Sequence, residues 1–126
     1  MSQYKYSLEK LQNIAEDLAD KASPPFSILL NGEVGAGKTA FSKFFIGKLI
    51  IDKNQSITSP TFNIVQIYET IKGGLWHVDL YRLEEDKEIF ELGLLEAMQE
   101  CICLIEWPER IKKYISTSFN YMEFDL

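Results

Sequence analysis

Apolar residues at three- and four-residue steps (Leu8, Leu11, Ile14, Ala15, Leu18) predict an amphipathic helix from Ser7 to about Ala22. Ser7 is a suitable N-cap, although no Glu stands three residues on to complete a capping box. Ser23-Pro24-Pro25 ends that helix and leads into a short apolar run, Phe26 to Leu30, which reads as a strand. The helical period resumes from Lys38 to about Ile50, with Phe41, Phe44, Phe45 and Leu49 on a face that reads as core rather than as a base-stacking platform. A polar connection at 52–55 and a proline at 60 precede a strand expected from Phe62 to Glu69. Lys72-Gly73-Gly74 signals a turn into a further strand, Leu75 to Leu80, and so short a connection implies an antiparallel hairpin. A charged segment at 83–88 opens a helix carrying Ile89, Leu92 and Leu95, interrupted at Gly93. Cys101 to Ile105 is continuously apolar, the signature of a strand buried on both faces, and a last short strand is expected near Tyr121 to Phe124. Alternating helices and strands with one hairpin predict an α/β fold with a mixed parallel and antiparallel central sheet. With short connections, 1–126 reads as one domain.

Between the first strand and the second helix stands Gly32-Glu33-Val34-Gly35-Ala36-Gly37-Lys38-Thr39, the pattern G-x-x-x-x-G-K-T in strand–loop–helix context. A loop wrapped around phosphates must turn several backbone N–H groups inward, and that curvature calls for glycine. The following helix aims its unpaired N–H groups and positive dipole end at the same place. Lys38 adds a full charge near β/γ oxygens, and Thr39 offers a hydroxyl to a bridging Mg²⁺. These features narrow the expected fold to a P-loop NTPase-like three-layer fold. They make Gly32 through Thr39, with Ala40 in the first helical turn, the candidate phosphate-binding residues.

Formal net charge is −6, with eleven lysines and two arginines, Arg82 and Arg110. That balance argues against a broad nucleic-acid surface and suits a partner protein that is basic where they meet. No apolar run approaches a membrane span and the first residues lack a signal-peptide core, so no membrane association and a cytoplasmic location are expected. Cys101 and Cys103 share one face of their strand. With no other cysteine and one histidine, His77, they read as core residues rather than as half of a zinc site.

A P-loop works with an acid at the tip of a neighbouring strand, which holds Mg²⁺ directly or through water and can orient the attacking water. Glu106 follows five apolar residues and Asp79 closes a weaker strand pattern, so both are candidates. Thr61, after Ser59-Pro60, lies where nucleotide-sensing loops place a hydroxyl that closes on the metal and γ-phosphate.

Taken in order, the P-loop at 32–39, Ser-Pro-Thr-Phe at 59–62, His-Val-Asp-Leu-Tyr-Arg at 77–82 and Ile-Glu-Trp-Pro-Glu at 105–109 closely resemble the bacterial TsaE (YjeE) family over nearly the whole chain. Those proteins are small P-loop ATPases required to make threonylcarbamoyladenosine in tRNA. The resemblance implies ATP/ADP and Mg²⁺ as ligands, with Lys38, Thr61, Asp79 and Glu106 as catalytic residues. Thr39 and Glu106 are then the first-choice metal ligands, with Asp79 as the alternative, and Trp107 lies beside the site. It also implies an accessory role with the TsaB–TsaD pair, in which ATP favours assembly, hydrolysis resets it and TsaD performs the carbamoyl transfer. No direct sequence-specific nucleic-acid contact is expected. Many members continue past the final strand with residues that pack near the base. This sequence stops at Asp125-Leu126, so adenine contacts from that region are not expected, and the start of the first helix near Ser7 is a candidate for the base pocket.

Three other readings use the same loop. A small-molecule kinase would need several arginines over the transferring phosphate, and only two are present. A GTPase would be expected to carry an Asn-Lys-x-Asp stretch, which is absent. A module that holds ATP without turnover would share every motif, because water positioning depends on finer geometry.

Overall fold

The computed structural model describes residues 6–33 and 37–126. In chain order the elements are α1 (Leu8–Lys21), β1 (Phe26–Asn31), α2 (Lys38–Leu49), β2 (Val65–Thr70), β3 (Gly73–Asp79), α3 (Lys87–Leu92), α4 (Leu94–Met98), β4 (Ile102–Glu106), α5 (Glu109–Lys112) and β5 (Tyr121–Asp125). The five strands form one sheet in the order β2-β3-β4-β1-β5. β1 runs parallel to β4 and β5, and β4 parallel to β3, while β2 pairs antiparallel with β3. The mixed sheet follows from the hairpin, because so short a turn can join only antiparallel neighbours, whereas parallel ones need a long crossover.

Strand period distributes the core into two layers. Ile28 and Leu30 of β1, Leu75 of β3, and Ile102 and Leu104 of β4 pack against α1 and α2, where Leu11, Ala15, Phe41, Phe45 and Leu49 are buried. Leu29, Val78, Cys103 and Ile105 face the opposite way, onto Ile89, Leu94, Met98 and Ile111 of the remaining helices. Every residue of β4 is buried, as its unbroken apolar run predicts for a strand covered on both faces. Cys103 and the half-buried Cys101 join that second layer. Burial pushes the Cys103 thiol up to about 12, the behaviour of a small core residue.

Ser7 caps α1 by accepting a hydrogen bond from the Lys10 backbone N–H at 3.1 Å. At the other end of the helix, the Lys72 ammonium donates to the carbonyls of Ala19, Asp20 and Ala22. The β2–β3 turn is thereby fastened to orphan carbonyls of α1.

Two of the boundaries that differ from the sequence expectation flank the β2–β3 hairpin. The second strand begins at Val65, not at Phe62. Ile64 holds φ 67 and donates its N–H to the Pro60 carbonyl, so 60–64 is a tight turn that a strand cannot enter. In the hairpin, Thr70 pairs with Gly73, so Ile71-Lys72 form the turn and Gly73-Gly74 belong to β3. Gly73 has φ 93, which glycine adopts at little cost. The four-residue α5 had no clear periodic signal. No helix among the described residues is long and apolar enough to cross a membrane.

Candidate functional site

β1, β3 and β4 are parallel, so their carboxyl ends lie together, and the chain leaving β1 returns to the same edge as α2. Asp79, the last residue of β3, is in direct register with Glu106, the last of β4. Period 2 from Leu75 and from Ile102 turns both acids toward α2. α2 starts at Lys38 behind Gly37, whose φ of 104 opens the turn, and no side chain caps the helix. Its first N–H groups have no partner within the helix. Lys38, Thr39, Ala40, Asp79, Glu106, Thr61 and Trp107 line one cavity of about 550 Å³.

The local bonds explain how each group is held. Asp79 N–H donates to the Ile64 carbonyl, and Leu80 N–H to the Glu106 carbonyl, which ties the two strand ends to each other and to the 60–64 turn. An Asp79 carboxylate oxygen accepts from Tyr81 N–H at 2.9 Å. The Thr61 hydroxyl pairs with that of Ser59 at 2.7 Å. Arg82 stacks on Phe62 at 4.6 Å, joining the Thr61 loop to the segment after β3. Trp107 adopts φ 55, uncommon for a bulky residue, and its ring packs on Tyr81 with centroids 4.9 Å apart.

The buried charges set the electrostatics. Burial lowers the Lys38 pKa, with Glu106, Asp79 and Glu109 pulling it back up. Burial raises that of Asp79, and the neighbouring Glu106 adds to the rise. The Asp79–Tyr81 bond and Lys38 act against it. Two carboxylates and one ammonium in a water-poor recess favour a ligand that brings both negative groups for Lys38 and the helix end and a cation for the acids. Among the described residues, no group of three or more His, Cys, Asp or Glu could hold a metal alone. Two carboxylates with a threonine hydroxyl suit Mg²⁺, which retains waters and shares phosphate oxygens.

Comparison with known proteins narrows the chemistry. Residues 5–126 match the family profile described as threonylcarbamoyl adenosine biosynthesis protein TsaE. The chain belongs to the TsaE family. The tRNA threonylcarbamoyladenosine biosynthesis protein TsaE of Rickettsia prowazekii is 44% identical over 110 residues, covering 87% of this chain and 76% of the relative. The protein of the same name from Bacillus subtilis is 37% identical over 108 residues, covering 85% of this chain and 66% of its own. Among solved structures, Bacillus subtilis YdiB superposes with a TM-score of 0.63 at 28% identity, covering 96% of this chain and 73% of that one.

Within this TsaE-family chain, the sequence-derived site residues fall into three groups. Gly37, Lys38, Thr39, Ala40, Thr61, Asp79 and Glu106 converge on the cavity. Val34, Gly35 and Ala36 lie outside the described residues. Gly32, Glu33 and Ser7 do not line the cavity. Gly32 accepts from the Lys38 ammonium at 2.6 Å, and Glu33 is exposed. Ser7 was expected at the base pocket, but its hydroxyl is engaged as the α1 cap, and Leu8 beside it reaches the cavity instead.

Sequence reading assigned no role to His77, Tyr81 or Lys43. Tyr81 and Lys43 line the cavity, and His77 Nε2 lies 2.7 Å from Glu106 Oε2. The signal for His77 was available in the period, because two residues before Asp79 on a strand is the same face.

Proposed function

We propose that this protein binds Mg-ATP in the cavity at the start of α2 and hydrolyses it slowly, as an accessory to tRNA threonylcarbamoyladenosine synthesis acting with a TsaB–TsaD complex. The observation that carries the reading is the convergence of Lys38, Thr39 and the register pair Asp79–Glu106 at the carboxyl ends of three parallel strands. Phosphoryl transfer asks little covalent chemistry of a protein and much positioning of charge.

Each residue then has one task. The uncapped first turn of α2 and the Lys38 ammonium neutralise β/γ-phosphate oxygens. The Thr39 hydroxyl and the Glu106 carboxylate would hold Mg²⁺, which would draw charge from those oxygens. Asp79, fixed beside Glu106, shares the work of orienting the attacking water, and the Thr61 hydroxyl closes over the γ-phosphate. Water takes the phosphoryl group and ADP leaves. No arginine beyond Arg82 lines the cavity among the described residues, which supports transfer to water over a small-molecule kinase.

The test is turnover and binding measured together. Glu106→Ala should cut Mg²⁺-dependent turnover far more than Mg²⁺-free nucleotide binding, and addition of TsaB–TsaD should raise the wild-type rate. Unchanged turnover in Glu106→Ala would transfer the metal role to Asp79. No stimulation, with robust phosphorylation of a small acceptor, would favour the kinase.

A further inference from the structure

We propose that His77 is the positioning residue for Glu106, holding one carboxylate oxygen so that the other is presented to the metal; the proposal rests on the Mg-ATPase reading above. His77 is 1% exposed, and its Nε2 lies 2.7 Å from Oε2 of Glu106, itself 3% exposed. The bond crosses from β3 to β4 on the sheet face that covers α2, one step behind the cavity wall. His77 is in register with Leu104, so Glu106 reaches it diagonally from two residues further along.

The chemistry of a buried carboxylate explains the need. Its oxygens offer about four lone-pair sites, and leaving them unpaired away from water is costly. A carboxylate free to rotate would also divide its time between metal-competent and incompetent poses. One strong donor fixed by the sheet removes both problems for Oε2. Groups behind metal ligands commonly act this way.

The remaining ring nitrogen indicates which form of His77 does this. Nδ1 is buried and has no hydrogen-bond partner among the described residues. With the proton on Nε2, the ring donates to Glu106 and leaves Nδ1 as a bare lone pair. Placing the proton on Nδ1 would bury an unsatisfied N–H and set two acceptors against each other at 2.7 Å. The bond therefore runs from His77 to Glu106.

His77 is the only histidine in the chain, so its imidazole can be observed without ambiguity. In ¹⁵N NMR of the nucleotide-free full chain, the ring should show a protonated Nε2 with a slowly exchanging proton and an unprotonated Nδ1. A ring protonated on Nδ1 alone overturns the proposal. In parallel, wild type, His77→Gln and His77→Ala are compared for binding of a fluorescent ADP analogue in EDTA and for the Mg²⁺ concentration giving half-maximal ATPase. The glutamine amide can replace the Nε2 donor, and the alanine cannot.

His77→Ala should raise the Mg²⁺ requirement about tenfold or more, His77→Gln should stay within about threefold of wild type, and all three should bind the analogue alike in EDTA. A His77→Ala protein with the wild-type Mg²⁺ requirement, or a His77→Gln protein as impaired as His77→Ala, overturns the proposal. A wild-type protein that binds no nucleotide with or without Mg²⁺ instead overturns the ATPase reading, an outcome distinct from a responsive wild type matched by His77→Ala.

Discussion

The Lys38 ammonium lies 3.4 Å from the centroid of the Trp107 ring while donating to the Gly32 carbonyl. In this state the cation is held by an aromatic face and a backbone dipole. A phosphate that draws Lys38 toward the start of α2 takes the ammonium off the ring. Tryptophan emission should therefore shift on nucleotide binding, read most cleanly in a Trp76→Phe background. The cation–π contact is worth roughly 1 kcal/mol, so Trp107→Leu should tighten Mg²⁺-free binding by about fivefold. Emission unmoved at saturation would show that Lys38 keeps its place.

Lys38→Ala should weaken nucleotide binding by roughly ten- to 150-fold, the scale of one charge-assisted hydrogen bond of about 1.5–3 kcal/mol. Calorimetric titration with ADP is the check. Unaltered affinity would remove the phosphate role from this residue.

Asp79 opposes stability at neutral pH. Burial raises its folded pKa above the ordinary aspartate value, so ionisation is harder in the folded chain than in the unfolded one. Its contribution is most favourable below the ordinary aspartate pKa and is lost as pH rises through the raised folded value. Asp79→Asn, which keeps an acceptor for Tyr81 N–H, should raise the urea midpoint at pH 7 while reducing Mg²⁺-dependent turnover. The gain should shrink toward zero as pH falls below the ordinary carboxylate range. An equal gain at low and neutral pH would show that charge burial is not its source.

The same chain carries two phenylalanines of opposite character. Phe41 of α2 is fully buried, with its ring centroid 4.9 Å from that of Phe124. Phe62 is 82% exposed. Phe41→Ala should cost about 3–5 kcal/mol, and Phe62→Ala should stay within about 0.5 kcal/mol. Urea unfolding of both variants decides, and a large loss at Phe62 would mean that its contact with Arg82 carries more than an exposed cation–π pair.

Much of this was legible in local pattern. The strand–loop–helix setting of Lys38, the hairpin, and the buried strand ending at Glu106 all follow from period and punctuation. The family followed from four short motifs in order. What stayed hidden was non-local. Nothing in the order of residues states that Asp79 lies opposite Glu106, since that depends on which strands pair and in what register. The bond from His77 depends on the same pairing. The late start of β2 reflects Ile64 in a left-handed conformation, which a β-branched residue gives no reason to expect. Ser7 illustrates the converse: its cap was readable, while the fact that Leu8 rather than Ser7 meets the cavity was not.

Asp79 and Glu106 hang from strands bonded along their whole paired length, with buried side chains on both faces of the sheet. Moving either acid means shearing the molecule's interior. Lys38, Thr61 and Trp107 come from a helix start and from loops, and carry no such burden. The sheet is thus the anvil and the loops are the hammer. On the Mg-ATPase reading, the changes that a nucleotide brings are expected at residues 51–64, at 80–86, at Trp107 and around the beginning of α2. On the same reading, a partner that senses the nucleotide is expected to touch this rim rather than the far edge at β5.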